Sequence, residues 1–170
     1  MKTIPLGSRK YLGLFALVDD EDYELLSKYN WYAHKSKNTF YAHRKVKLPS
    51  GKWAHSPMHR EILGLTDPKI QTDHRDHNGL HNWRNNLRVC TKKENAYNQR
   101  KHGNNTSGYK GVTFHKRIKK WQVRIKINYK YIHLGYFHSI DEAAHTYNAA
   151  AIQHFGEFAH INSIPTLPCT

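Results

Sequence analysis

The sequence predicts an α+β protein assembled from small modules, on three observations. Short strands rich in aromatic residues fill roughly residues 1 to 68. A succession of strand, polar loop, strand and helix occupies 70 to 98, and three alternating strands lead into one alanine-rich helix between 108 and 162. The 170 residues are 38% hydrophobic, low for one large core, so two or three small cores suit the composition better.

Taken in order, KYLGLFALV, TFYAHRKV and KWAHSP read as short strands joined by turn formers such as LPSGK, and most should pair antiparallel. Between them DDEDYELLSKYN reads as a short helix, with Asp19 or Asp20 as N-cap and carboxylates in the first turn, where the helix dipole favours them. MHREILGL, Met58 to Leu65, reads as an amphipathic helix ended by Gly64, with Met58, Ile62 and Leu65 on one face and His59 and Arg60 on another. From residue 70 a strand enters Asp73 and His74, and a second strand runs from Leu87 to Cys90. Thr91-Lys92-Lys93-Glu94 has the form of a capping box, which starts a helix carrying Asn95 and Asn98. QRKHGNNTS lacks apolar periodicity and reads as a basic linker. The expected divisions are therefore 1–98, a linker at 99–107, a module at 108–162 and a tail at 163–170.

In that last module GYKGVTFHK, KKWQVRIKIN and KYIHLGYF alternate at period two. Trp121, Val123, Ile125 and Ile127 fall on one face, and Gln122, Arg124, Lys126 and Asn128 on the other, which gives a sheet with a core face and a basic face. The helix IDEAAHTYNAAAIQHFG presents small residues, Ala143, Ala144, Ala150 and Ala151, beside Tyr147 for close packing on the sheet.

Charge narrows the partners. Lysine and arginine number 27 against 13 acidic residues, a formal charge of +14, and no acidic residue occurs between Glu94 and Asp141. Such a surface attracts phosphate backbones, so double-stranded DNA is the expected partner. No run approaches the ~20 apolar residues of a spanning helix, and MKTIPLGSRKYLG lacks a continuous apolar stretch, so no membrane partner is expected and the expected location is intracellular and cytoplasmic. Cys90 and Cys169 form neither a CxxC pair nor a bridged framework; a disulfide scaffold and a cysteine-ligated zinc are not expected.

The chemistry concentrates in DHRDHNGLHNWRNNLRVCTKKEN. Phosphodiester hydrolysis needs an attacking water, a group to take its proton, and positive charge on the phosphate and leaving oxygen. Asp73 can hold a hard divalent ion, Asn95 can add an amide oxygen, and His74 stands beside them as a base. Neighbours on a regular strand face opposite ways, so the strand must end or twist at His74. A second partner, expected to be a backbone carbonyl, would fix its tautomer. Arg75, Arg84 and Arg88 are expected to contact phosphate or support the loop, and His77 and His81 to be exposed loop residues near phosphate.

Through DH, NGLHNWRNNLRV and KKENAYN, residues 73 to 98 resemble the ββα-metal motif of HNH endonucleases, specifically the group found among phage and intron-encoded homing endonucleases. The resemblance implies His74 as general base, Asp73 and Asn95 as metal ligands, Asn86 as the brace of the loop and Asn82 as a loop-shaping residue. Asn95 stands where many relatives carry histidine, which favours Mg²⁺ or Mn²⁺ over zinc, with no small-molecule cofactor. Residues 108 to 162 resemble the AP2/ERF DNA-binding domain, whose three-stranded sheet lies in the major groove. The implied contacts are Lys110, Thr113, His115, Trp121, Arg124, Lys126 and His133, although Trp121 reads equally well as core. Thr113, Arg124 and His133 depart from the plant-type pattern, so no target sequence carries over. The expectation is a metal-dependent endonuclease of double-stranded DNA, phage- or mobile-element-encoded. Nicking by a monomer and double-strand cleavage by a homodimer both stay open. The alternative is a sequence-specific DNA-binding regulator whose HNH-like region is inert.

Overall fold

Short strands closed by tight turns set the architecture of the N-terminal part. β1 (Lys2–Pro5) pairs antiparallel with β2 (Phe15–Val18). β3 (Tyr32–Lys35), β4 (Phe40–Lys47) and β5 (Trp53–Pro57) form an antiparallel sheet with β4 central. β6 (Gln71–His74) pairs with β7 (Leu87–Cys90), Asp73 opposite Arg88 and His74 opposite Leu87. The computed structural model describes residues 1–165, a mixed α and β chain of several small antiparallel sheets with few helices. Of the tail from 163 only the first residues are thus described, and Cys169 lies outside the described residues. Among the described residues no helix is long and apolar enough to cross a membrane.

The chain divides into two compact units, Met1–Thr91 and Lys92–Thr170. In the first, α1 (Asp20–Leu26) and α2 (Met58–Ile62) close over a core that includes Ile4, Val18, Trp31, Ala42, Met58 and Leu87. Trp31 is held there by donating from Nε1 to the Leu26 carbonyl at 2.8 Å, so its polar edge is satisfied while its rings are buried. Asp19 occupies the N-cap position of α1 but makes no side-chain cap bond. Its carboxylate accepts instead from the Arg84 backbone N–H at 2.7 Å, 65 residues away, a competitor that local sequence does not reveal. α2 differs from its amphipathic reading, because His59 is buried along with Met58 and Ile62. In a helix of five residues packed on two strands, no face is left wholly to solvent.

The second unit contains α3 (Lys92–Tyr97), an antiparallel sheet of β8 (Val112–His115), β9 (Lys120–Ile127) and β10 (Lys130–Phe137) with β9 central, and α4 (Ile140–Phe155). α4 begins at Ser139, whose hydroxyl accepts from the N–H groups of Asp141 and Glu142. It packs Ala143, Tyr147, Ala151 and Phe155 on Val112, Val123 and Ile125. Gly111 permits this approach: a Cβ there would stand 2.1 Å from the Tyr147 ring. The basic stretch 99–107 is fastened to the unit by side-chain bonds. Lys110 Nζ donates to the carbonyls of Tyr97 and Gln99 at 2.7 and 2.6 Å, and Asn105 Nδ2 to that of Tyr109 at 2.8 Å. Tyr97 also stacks on Phe155, ring centres 3.8 Å apart.

Two local irregularities shape the sheet. The β9–β10 register shifts between His133 and Gly135, where Gly135 takes φ +138°, so a bulge interrupts the period-two alternation. Ile127 pairs with Lys130, which leaves a two-residue turn of Asn128 and Tyr129 with φ of 50° and 66°. That primed turn suits Asn followed by Gly. A tyrosine in its second position costs on the order of 1–3 kcal/mol of backbone strain.

Candidate active site and basic face

β6 ends at His74, and the loop that follows is braced from several sides. Asn82 is fully buried; its backbone N–H donates to Leu17 O at 2.7 Å, and Leu17 N donates to Leu80 O at 2.9 Å, docking the loop on β2. Gly79 lies so close to β4 that an added Cβ would stand 2.4 Å from the Phe40 carbonyl oxygen. The Asn86 side chain accepts from the Asp76 N–H at 3.1 Å and donates to the Asp76 carboxylate and the His81 carbonyl at 3.0 and 2.8 Å. His81 is held by the same carboxylate, Nδ1 to Oδ2 at 2.5 Å, and packs on Trp83. It is an internal strut of the loop more than a group presented outward.

His74 is buried, with Nε2 at 3.3 Å from the Asn82 Oδ1. The other end of that amide, Nδ2, donates to the Gly79 carbonyl at 3.4 Å, which fixes the oxygen toward His74. That oxygen is an acceptor to which a protonated Nε2 can donate. A side-chain amide, that of Asn82, is thus one partner of the ring. Burial is the main reason the imidazole is pushed below its ordinary 6.5, partly opposed by Asn82 and the nearby Asp76 and Asp73. At neutral pH it is a neutral base.

Asp73, buried beside it, accepts from Arg88 Nε and Nη2 at 3.0 and 2.6 Å, both on Oδ2. Asp73 and Arg88 are cross-strand partners, so the pairing follows from the β6–β7 register. A hydrogen-bonded carboxylate is an ordinary arrangement for a hard-cation ligand. A carboxylate oxygen is a donor that fits Mg²⁺ or Mn²⁺. Asn95 lies on α3 in the second unit and is half-buried.

The basic side chains of this region divide by partner. Arg88 is buried against Asp73. Arg84 engages the acidic start of α1, donating to Asp22 at 3.0 and 2.6 Å with Glu21 at 3.1 Å. Asp19, Glu21 and Asp22, close enough together to hold a cation, are thus already met by an arginine and one backbone N–H. Arg75 is exposed on the loop.

A cleft of about 280 Å³ opens beside His74, lined by His34, Ser36, Tyr41, His43, His59 and Thr72. His59 stands edge-on to His74 at 5.1 Å and Tyr41 lies 5.7 Å from it, centre to centre. Sequence reasoning passed over these residues. Their signal was the alternation in TFYAHRKV, where Tyr41 and His43 flank the buried Ala42 and share a face with their strand partners His34 and Tyr32. Burial, followed by the neighbouring His74 and His43, pushes His59 down to about 3, and burial with His34 and His55 pushes His43 down to about 4. Both are neutral at pH 7 and costlier to charge in the folded chain than in the unfolded one. The unfolded state therefore takes up protons first as pH falls below 6.5, and stability should decline from there toward pH 3. Melting curves between pH 7 and 4 should show this fall, shallower in His59→Phe. Equal slopes in the two proteins would remove His59 as a source.

In the second unit the face of the sheet opposite α4 carries Thr113, Arg124, Lys126 and His133 exposed, with His115 half-buried beside them. Lys110 is drawn inward to its two carbonyls, and burial lowers it to about 8. Trp121 does not share the basic face. It packs against the helix-side core with Phe114 edge-on at 4.9 Å, as its period-two companions Val123 and Ile125 require. Tyr131 and Tyr136 join the face instead, opposite Lys126 and Gln122. Regular alternation places Tyr136 with the core, and the bulge after His133 reverses it.

No protein-family model matches the chain. Over 163 residues, 89% of this chain and 76% of the relative, it is 32% identical to a protein of Acanthamoeba polyphaga mimivirus described as an uncharacterized HNH endonuclease.

Proposed function

The chain belongs to the HNH endonucleases, and from that premise we propose that it is a metal-dependent nuclease that hydrolyses phosphodiester bonds in double-stranded DNA. The observation that carries this reading is the neutral, buried His74 at the end of β6, held beside the Asn82 amide. His74 takes the proton of the attacking water, while Asn82 and Asn86 hold the ring and its loop at the end of β6. Asp73, oriented by Arg88, and Asn95 would hold the divalent cation, Mg²⁺ or Mn²⁺. Bound there, it would supply positive charge to the phosphate and the leaving oxygen. Arg75 is the arginine of the loop suited to a phosphate; Arg84 and Arg88 act by holding carboxylates in place.

The second unit supplies the grip on DNA. Thr113, His115, Arg124, Lys126 and His133 face the duplex in an AP2-like manner, Arg124 and Lys126 supplying cations for phosphates or guanine edges. A phage or mobile-element setting, in the cytoplasm of the host cell, is what the homing-endonuclease resemblance adds. One site per chain implies nicking, with double-strand breaks requiring a second chain or a second binding event.

Purified protein with supercoiled plasmid and Mg²⁺ or Mn²⁺ should yield open-circular DNA, and EDTA should stop it. Tight binding without cleavage across both metals and varied substrates would overturn the nuclease reading in favour of an inert DNA-binding regulator.

A further inference from the structure

Beside the basic sheet face the second unit contains a cleft of about 540 Å³. Its floor is the part of the sheet bearing Thr113, Arg124 and Lys126, and its opposite wall is the stretch 99–106. That wall is built and anchored: Lys110 and Asn105 tie it by hydrogen bonds, and the Tyr97–Phe155 stack secures the helix from which it leaves. Lys93, Arg100, Lys101, Arg124 and Lys126 line the cleft, and no carboxylate does, so its occupant is an anion. The volume lies in the range of small-ligand sites, far short of a duplex.

Two tyrosines at the mouth narrow the chemistry. Tyr131 is 66% exposed, with the Arg124 guanidinium and the Lys126 ammonium each 5.4 Å from its ring centre. Tyr129 is 79% exposed at the tip of the β9–β10 turn, at φ 66°, a position where glycine would be unstrained. A bulky side chain kept in a left-handed conformation and left in solvent serves no packing purpose. Exposed aromatic rings beside cations are the combination that binds single strands, bases stacking on rings while phosphates meet lysine and arginine. In a duplex each base face is already covered by its neighbour.

We propose that this cleft binds an unpaired segment of DNA, one or two nucleotides long, whose bases stack on Tyr129 and Tyr131. The inference rests on the reading of DNA as partner and extends it to a strand freed from pairing beside the sheet. The test uses the full chain carrying His74→Ala, so that cleavage does not intervene. Its binding to a fluorescein-labelled oligothymidine and to a duplex of equal length is read by fluorescence anisotropy at fixed salt. Adding Tyr129→Gly should weaken oligothymidine binding about fivefold or more and leave duplex binding unchanged. Its melting temperature should be equal or higher, because glycine relieves the turn. Tyr129→Phe should bind as the parent does. A purely structural role for Tyr129 predicts the opposite pattern, a lower melting temperature with both affinities falling together. Absent oligothymidine binding, or binding insensitive to Tyr129→Gly, would overturn the proposal. Because the readout is binding alone, it stands apart from any failure of the plasmid assay.

Discussion

His74→Ala should lower plasmid nicking by about 10²–10⁴-fold, the contribution of a positioned general base, while duplex affinity is retained. Asn82 holds the ring, burial keeps it neutral, and the substitution removes the imidazole from the end of β6. Affinity should survive because the one-signed basic face lies in the second unit, on Arg124 and Lys126. His74 is buried, so the melting temperature should be measured alongside: a variant that stays folded and binds DNA yet does not cut supports the base. Cleavage at the parent rate would remove His74 from the mechanism.

Asp73→Ala should do two kinds of damage. It removes the proposed cation ligand, and it leaves Arg88, 7% exposed, a buried cation without the carboxylate to which it donates. The second effect should cost the first unit roughly 3–5 kcal/mol, as for other buried pairs broken on one side. Replacing both partners, Asp73→Ala with Arg88→Met, removes the orphaned charge and should recover most of that stability in denaturant unfolding without recovering cleavage. Restored cleavage in the double variant would show that Asp73 matters only as the partner of Arg88. An Asp73→Ala protein as stable as the parent would show that the ion pair contributes little.

Much of this molecule is legible locally. The strands at Gln71–His74 and Leu87–Cys90 and the helices beginning near Asp20 and Ile140 follow from alternation, turn formers and helix-forming residues that act over a few positions. Other features are invisible at that range. Arg84 meets Asp22 across 62 residues, and the imidazole cleft gathers His34, His43, His59 and His74 from β3, β4, α2 and β6. Tyr136 changes faces because of a single bulge, and the basic stretch 99–107 is held by Lys110 and by carbonyls that carry no sequence signature.

By itself the sequence determined most of the elements, β1 and β3 excepted, the alternation that makes one sheet face basic, and the order of the residues proposed for catalysis. Tertiary structure alone decided which arginine meets which carboxylate, which amide holds His74, and which histidines stay uncharged. The physical reason is that pairing and protonation depend on burial and on neighbours distant in sequence. Helix and strand formation, by contrast, answer to residues within a turn of one another.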